Sequence, residues 1–379
     1  MSYFVYFYLL GVTAFVFLPL VKGGKSLTPF GLFGLIGLVF WLLFIRDPIA
    51  ASDGYNYTQL YVSIKSLEDV FDAYHNNYLF SLIQWGIKQF DFSAPSSVKI
   101  ISMVSWTIIV IGFGVMAAGR HRELLLTLGL FCVTSTFILL YFNALRQGLA
   151  LSLLILTIGL VKSGRCWAGG IFGIFSVMAH TSAMMAAPLC LLPAWTTARK
   201  ILISKSGAIL VVALGVVTAG VLKFGLPIIW EFFGSNQGVD DYPEFSVLGL
   251  VAKIYDLQLH EAGNELVVAK LTLGVTLVFF FLFMLGRIEC REEREGSEFL
   301  VSTYILLVSI SIALSAFPEV SGRLIYYSSA LIPVLFARLF FVHTPFCNSS
   351  FKGMIYVISV WSYGLLVILY PATAKQMGI

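Results

Sequence analysis

The feature that most limits what this chain can become is a succession of apolar runs near spanning length, at 3–21, 28–45, 97–118, 124–141, 147–161, 203–222, 266–286, 299–316, 324–342 and 354–371. A helix needs about 20 such residues to cross roughly 30 Å of hydrocarbon. No water is available there to satisfy backbone polar groups, so a spanning segment is either a helix or a strand of a closed barrel. A barrel would show alternation, whereas these runs are continuous. Of the 379 residues, 59% are apolar and only 12% are Asp, Glu, Lys or Arg, against about a quarter charged in soluble domains. A soluble globular enzyme and a nucleic-acid-binding module are thereby excluded. The expected fold is an all-α polytopic membrane protein forming one integral membrane domain over 1–379. Cys132, Cys166, Cys190, Cys290 and Cys347 form no CxxC pair and no metal-ligand spacing, so neither a disulfide framework nor a metal site is expected.

The first run has no Lys or Arg before it and no small-residue cleavage site after it, and is read as a retained helix. Tyr3, Phe4, Tyr6, Phe7 and Tyr8 at its start resemble an interfacial aromatic anchor. The net charge of +4 becomes informative when it is divided by side. Basic residues cluster at Lys22/Lys25, Arg120/Arg122, Lys162/Arg165, Arg199/Lys200/Lys205, Arg287/Arg291/Arg294 and Arg338/Lys352. Loops placed together on that basis hold 14 Lys+Arg and 6 Asp+Glu, leaving 10 and 14 elsewhere, so the two sides carry +8 and −4. The positive-inside rule makes the first side cytoplasmic and puts both termini outside.

Two segments do not fit as simple spans. Residues 78–90 would place the next loop on the wrong side if they crossed, so an interfacial or re-entrant outer helix is expected there. Residues 167–196 carry cytoplasmic-type charge on both flanks. Two half-helices meeting near His180-Thr181-Ser182 satisfy that pattern, and the count becomes about 12 membrane helices or half-helices. Two long outer segments, about 46–77 and 223–265, exceed ordinary connectors and are read as functional loops.

Ionisable groups at the outer membrane boundary are costly and become functional candidates by default. Four clusters qualify. Arg46 leads to Asp53, Tyr55 and Tyr57 just past the second run. Asn143-Ala-Leu-Arg146-Gln147 opens the fifth run, and Arg146 is the sole charge in the 38 residues between Glu123 and Lys162. His180 and Ser182 stand between the half-helices. Glu319 and Arg323 precede Tyr326 where another run begins. Each has a plainer alternative: charged helix ends, snorkelling arginines, a hydrogen-bonded structural histidine, or an exposed ion pair of little energy. Taken together, Arg46, Arg146, His180 and Arg323 come from distant stretches, yet the charge-derived topology gathers them on one face. Guanidinium groups bind phosphate oxygens bidentately and stay charged when partly buried, which suits a diphosphate.

On these residues the chain resembles the EpsG/Wzy-type family of bacterial polysaccharide polymerases. Asn143-Ala-Leu-Arg146-Gln147-Gly-Leu-Ala150 is similar to that family's N-x-x-R-Q-x-x-A, and His180-Thr-Ser182-Ala183 to its H-x-S-A. Arg46 followed by Asp53 and Tyr57, and Gly322-Arg323 followed by Tyr326, add support, in order across roughly 40–335. One departure is that Asn76 and Asn77 stand where the family commonly has a Glu, so a carboxylate role there would pass to Asp53, His180 or Glu319.

The resemblance implies a GT-C-like bundle in the bacterial inner membrane, joining undecaprenyl-diphosphate-linked repeat units of O-antigen, exopolysaccharide or capsule at the periplasmic face. Donor and acceptor are both lipid-linked glycans, and a chain-length regulator and a flippase are expected partners. Under it Arg146, Arg323 and Arg46 would hold the diphosphate. His180, Asp53 or Glu319 would act in catalysis. Asn143, Gln147, Ser182, Tyr55, Tyr57 and Tyr326 would bind substrate, and Trp230 and Tyr242 would offer stacking faces. No metal or other cofactor is expected. The competing readings are a lipid-linked glycan flippase or transporter, disfavoured by the lack of a visible repeat, and an O-antigen ligase-type glycosyltransferase that shares the donor chemistry.

Overall fold

The computed structural model describes residues 2–21, 27–49, 52–73, 78–233, 264–288 and 290–343, and among these residues all regular structure is helical. The chain divides into two compact units, one of residues 1–194 and 330–379, the other of 195–329. The outer segment 223–265 lies mostly outside the described residues, as does the run at 354–371. The all-α membrane class agrees with the sequence reading. Among the described residues six helices are long and apolar enough to cross a bilayer by themselves, at Leu27–Ile45, Ala94–Ala117, Leu145–Lys162, Lys205–Gly225, Arg291–Ala313 and Val320–Leu339.

In the first unit the helices are α1 (Ser2–Val21), α2 (Leu27–Ile45), α3 (Ser52–Ser63), α4 (Leu67–Ala73), α5 (Tyr78–Lys88), α6 (Ala94–Ala117), α7 (His121–Cys132), α8 (Ser135–Phe142), α9 (Leu145–Lys162), α10 (Cys166–Ala179) and α11 (Ala183–Leu191), with Leu331–His343 returning to pack on α7. The centre of the unit is α9, which is buried along nearly its whole length. Gly112 of α6 and Gly159 of α9 let those two backbones approach closely, since a methyl group on Gly112 would meet the Leu156 nitrogen at 2.8 Å. Small residues supply such contacts where lipid offers no hydrophobic drive for association. Trp106, Phe131, Phe137 and Tyr141 pack edge-on and stacked between α6, α7 and α8.

Two sequence expectations change here. The run at 124–141 is not one straight span, because α7 and α8 meet at 72°. Thr134 causes the break: its backbone is extended, its hydroxyl donates to the Phe131 carbonyl at 2.7 Å, and its oxygen accepts from the Phe137 N–H at 3.1 Å. A side-chain hydroxyl that caps a new helix competes with continuation of the old one. The stretch at 46–77 is also more ordered than a loop, since it holds α3 and α4.

The expected interfacial element at 78–90 is the 11-residue α5, too short to span. The expected break at His180 is present, with α10 ending at Ala179 and α11 starting at Ala183. A methyl group at Gly173 would lie 3.8 Å from the Ala187 Cβ. Those two positions flank His180 symmetrically, so α10 and α11 fold back on each other as a hairpin with His180 at its tip.

The second unit contains α12 (Thr196–Ile203), α13 (Lys205–Phe233), α14 (Asn264–Leu285), α15 (Arg291–Ala313) and α16 (Pro318–Ser329). There α15 packs against each of the others. Ser321 Oγ of α16 donates to the Ser311 carbonyl of α15 at 2.7 Å, and Tyr304 OH of α15 to the Gly274 carbonyl of α14 at 3.3 Å.

The helix Leu331–His343, here α17, is tied to α7 by charge. Glu123 is 3% exposed and faces Arg120 at 2.7 Å and Arg338, itself 2% exposed, at 3.5 Å. Removing one member of a buried ionic group leaves its partner's desolvation uncompensated. Glu123→Ala is therefore expected to destabilise the first unit by about 3 kcal/mol, read as a lowered thermal transition in detergent or nanodiscs. The exposed Arg291–Glu295 pair of α15 should contribute almost nothing to the same measurement.

Candidate functional site

The site is built at the junction where α2, α3, α8 and α9 meet, and two of the links across it satisfy helix ends. Past α2 the chain makes a tight turn in which the Ile49 N–H donates to Asp47 Oδ1 at 3.0 Å. It then enters α3, whose first turn presses on the turn just made. A methyl group at Gly54 would sit 1.7 Å from the Pro48 carbonyl oxygen, so only glycine permits that approach.

Asn143, at the C-terminal end of α8, extends its Oδ1 to the backbone N–H of Asp53 at 3.0 Å. It thereby satisfies one of the unpaired donors at the start of α3 from 90 positions away in the chain. The C-terminal end of α8 has unpaired carbonyls in its turn. Arg46 answers one of them: its Nη1 donates to the Tyr141 carbonyl at 2.7 Å, while Nη2 donates to Ser102 Oγ of α6 at 2.6 Å. Its guanidinium also lies 5.3 Å from the centre of the Phe142 ring. Arg46 is 7% exposed, and burial pushes its pKa down to about 10, which still leaves it charged at neutral pH. The Arg46 Nε is fully buried and has no hydrogen-bond partner among the described residues.

One turn into α3, Tyr57 is buried, and its ring packs 5.0 Å from that of Phe80 on α5. Gln84 of α5 donates through Nε2 to the Tyr57 carbonyl at 3.1 Å. The Arg146 guanidinium lies 5.9 Å from the Tyr57 ring centre. Burial raises the Tyr57 pKa to about 12, with Arg146 opposing the rise and Asp53 adding to it. Tyr57 thus stays a neutral phenol under the influence of both a guanidinium and a carboxylate. Gly148 permits α9 to start this close to α8, since a methyl group there would meet the Leu140 carbonyl oxygen at 2.4 Å. Gln147 is buried in the same first turn of α9.

The α10–α11 hairpin brings the imidazole to this level. Ser176 Oγ donates to the Ala150 carbonyl of α9 at 2.7 Å, while Gly169 lies beside Thr157 and Val161. The two helices are therefore antiparallel, and one turn beyond Ser176 the hairpin tip comes level with Arg146. His180 and Ser182 are both buried there. The first unit thus gathers Arg46, Asp53, Tyr57, Asn143, Arg146, Gln147, His180 and Ser182 from stretches more than 130 residues apart.

The remaining candidates stand differently. Tyr55 is exposed on α3. Arg323 and Tyr326 lie on α16 of the second unit, and Glu319 is in the first turn of that helix with its side chain outside the described residues. The Trp230 side chain and Tyr242 also lie outside the described residues. Among the described residues no three His, Cys, Asp or Glu side chains are grouped as a metal site requires.

Sequence reasoning passed over Ser102, Gln84 and Ser176. Only the last had a readable signal, the small-residue series Gly169, Gly173, Ser176, Ala179 on one face of α10, all four of which are buried.

A family model described as the EpsG family matches residues 31–376. The chain belongs to the EpsG family. No curated protein and no solved structure matches it. Membership of the EpsG family points to a polysaccharide-polymerase type of function and to a glycosyltransferase type of enzyme in a multi-pass membrane protein. The motif residues Asn143, Arg146, Gln147, His180 and Ser182 all fall within the matched span.

The contact at Gly54 gives a stability test of this EpsG-family junction. Gly54→Ala forces a methyl group into a backbone carbonyl and is expected to cost about 1–3 kcal/mol, as overpacking does. Gly86 of α5 has open space where its side chain would be, so Gly86→Ala should be neutral or stabilise by up to about 1 kcal/mol. Paired thermal melts of the two variants check both signs.

Proposed function

We propose that this protein is a polysaccharide polymerase of the bacterial inner membrane that joins undecaprenyl-diphosphate-linked oligosaccharide repeat units at the periplasmic face. The observation that carries the reading is the convergence of Arg146, Asp53 and Tyr57 at one buried junction with His180 at the same level. Cationic and polar groups alone would also suit a carrier; a carboxylate and an imidazole at the level of Arg146 add the acid–base groups that glycosyl transfer requires.

In the reaction, the hydroxyl of the terminal sugar on one lipid-linked unit attacks the anomeric carbon of another, and the lipid diphosphate leaves. Negative charge builds on the departing diphosphate, so fixed cations are the chief requirement. Arg146 meets that need from the first turn of α9, where the backbone N–H groups of a helix start also favour an anion. Arg46 is proposed to serve the site indirectly, since its terminal nitrogens hold Tyr141 and Ser102. Arg323 is a second candidate for the diphosphate by its chemistry alone, and Glu319 and Tyr326 share its helix. Asn143 and Gln147 set the entry to α9, and the exposed Tyr55 offers a face for sugar stacking.

The topology that accompanies this reading adds α1, α14, the bent pair α7–α8, both halves of the α10–α11 hairpin and the run at 354–371 to the six long spans, giving 12 membrane segments. Both termini would face the periplasm under the charge distribution. A chain-length regulator and the flippase that supplies the substrate would be functional partners.

Purified protein in nanodiscs with a single lipid-linked repeat unit should yield a ladder of products on a gel. Transfer of the unit across a vesicle without a change in size would show a flippase, and transfer of finished polymer to another acceptor would show a ligase. Arg146→Ala and Arg323→Ala are each expected to abolish long-chain product at unchanged protein level, a loss of at least about 10²-fold for removal of a preorganised charge donor. Arg146→Lys should not restore it, because an ammonium lacks the planar fork. Normal polymer from both alanine variants would remove the diphosphate assignment.

A further inference from the structure

We infer that His180 acts as a hydrogen-bond donor through its Nε2–H to the departing diphosphate, and that the carboxylate of Asp53 takes the proton of the attacking hydroxyl. This division of labour rests on the polymerase reading above and assigns the two groups that reading leaves open.

A tight turn ends α10. His180 has extended backbone, with φ −160° and ψ 129°, and its N–H donates to the Ser176 carbonyl at 3.1 Å. The Ala183 N–H donates to the His180 carbonyl at 3.0 Å, which closes the turn. Inside that turn the Ser182 backbone N–H points at His180 Nδ1 at 3.1 Å, and Ser182 Oγ lies 2.8 Å from the same nitrogen.

A backbone amide nitrogen has only a proton to offer, so Nδ1 must present its lone pair. A neutral imidazole carries one N–H, and with Nδ1 accepting, the proton is on Nε2.

The consequence for chemistry is direct. A general base needs a free lone pair on the nitrogen that reaches the substrate. The turn occupies the lone pair on Nδ1 and leaves a proton on Nε2, so this histidine is set to donate. At the level of Arg146, the acceptor for that donation is the diphosphate that arginine would bind. The carboxylate of the cluster belongs to Asp53, in the first turn of α3, whose backbone is held beside Asn143 through its own N–H. Asp53 stands one helical turn before Tyr57 on α3, and the Arg146 guanidinium lies 5.9 Å from the Tyr57 ring centre, so acid and cation share the neighbourhood of one phenol.

As the acceptor oxygen bonds the anomeric carbon, the bond from that carbon to the diphosphate oxygen breaks, and its electron pair stays on the diphosphate. The hydroxyl proton passes to Asp53. His180 keeps its proton and shares it with a diphosphate oxygen.

The first test reads proton position without substrate. Full-length protein carrying 15N-labelled histidine in nanodiscs at neutral pH should give His180 an unprotonated Nδ1 and a protonated Nε2, with the signals assigned by their loss in His180→Gln. A proton on Nδ1, or on both nitrogens, overturns the inference whatever the protein catalyses.

The second test is the ladder assay, with folding of each variant checked by its thermal transition. His180→Gln places an amide N–H near the Nε2 position and should stay within about 10-fold of wild type. His180→Asn and His180→Ala should fall about 10²–10³-fold, the loss expected for one preorganised donor. Asp53→Asn should fall about 10²–10⁴-fold, as for a lost general base. A folded His180→Gln as inactive as His180→Ala, or an Asp53→Asn near wild type, overturns the assignment. A wild-type protein that makes no ladder overturns the polymerase reading and the donor role with it, while the NMR result still decides where the proton sits.

Discussion

The buried Arg46 is the interaction on which the arrangement of the first unit depends. A guanidinium removed from water costs several kcal/mol unless it is hydrogen-bonded. Here it is bonded to the free carbonyl end of α8 and to a serine of α6. That commitment fixes the end of α8, which fixes Asn143, which in turn caps the start of α3 and holds Asp53 and Tyr57 beside Arg146. The chain of dependence runs through helix termini throughout. Helix ends carry unpaired donors and acceptors that must be satisfied at membrane depth, so a group that satisfies one also positions the residues next to it.

The same economy explains why α7 and α8 are bent. A straight helix through 124–141 would carry its C-terminal end onward along the axis of α7, and Asn143 would have no reason to lie near α3. Thr134 ends α7 and begins α8 at 72°, and α8 then meets α9 through a loop short enough for Gly148 to lie against Leu140. The bend therefore belongs to the construction of the site as much as to that of the bundle.

Much of this was legible in the sequence, for identifiable reasons. Apolar runs of spanning length declare helices because hydrocarbon permits little else. The break at His180 could be read from basic residues on both sides of a segment too short to cross the bilayer twice as full helices but long enough for two half-helices. Asn143 and Arg146 stand three apart in one motif, yet they belong to different helices: Asn143 closes α8 and Arg146 lies in the first turn of α9. What could not be read was how distant polar groups pair. Arg46 looks like a phosphate ligand when only its type and outer position are known, whereas its terminal nitrogens bond a carbonyl of α8 and a serine of α6. The helices α3 and α4 were hidden because Ser52–Ser63 is polar and aromatic without a strong apolar period, and its stability comes from Asn143 and Gln84, far away in sequence. Thr134 was a missed signal: Thr134-Ser135-Thr136 is a polar trio inside an apolar run, and capping residues there favour a new helix start over an unbroken one.

The α10–α11 hairpin shows why so few chemical groups suffice. Two half-helices are held to α9 by small residues, with Gly169, Gly173, Ser176 and Ala179 all buried. Contacts made through small side chains fix backbone distance closely, because little flexible side-chain matter lies between the helices to absorb a shift. The Ser176 hydroxyl bond to Ala150 then sets the register along α9. An imidazole at the tip of such a hairpin inherits that precision, and the Ser182 N–H orients its ring within the turn. Catalytic groups gain most from being positioned before substrate arrives. Position here is set by backbone contacts and helix caps, with the reactive side chains left as the last atoms of an otherwise satisfied frame.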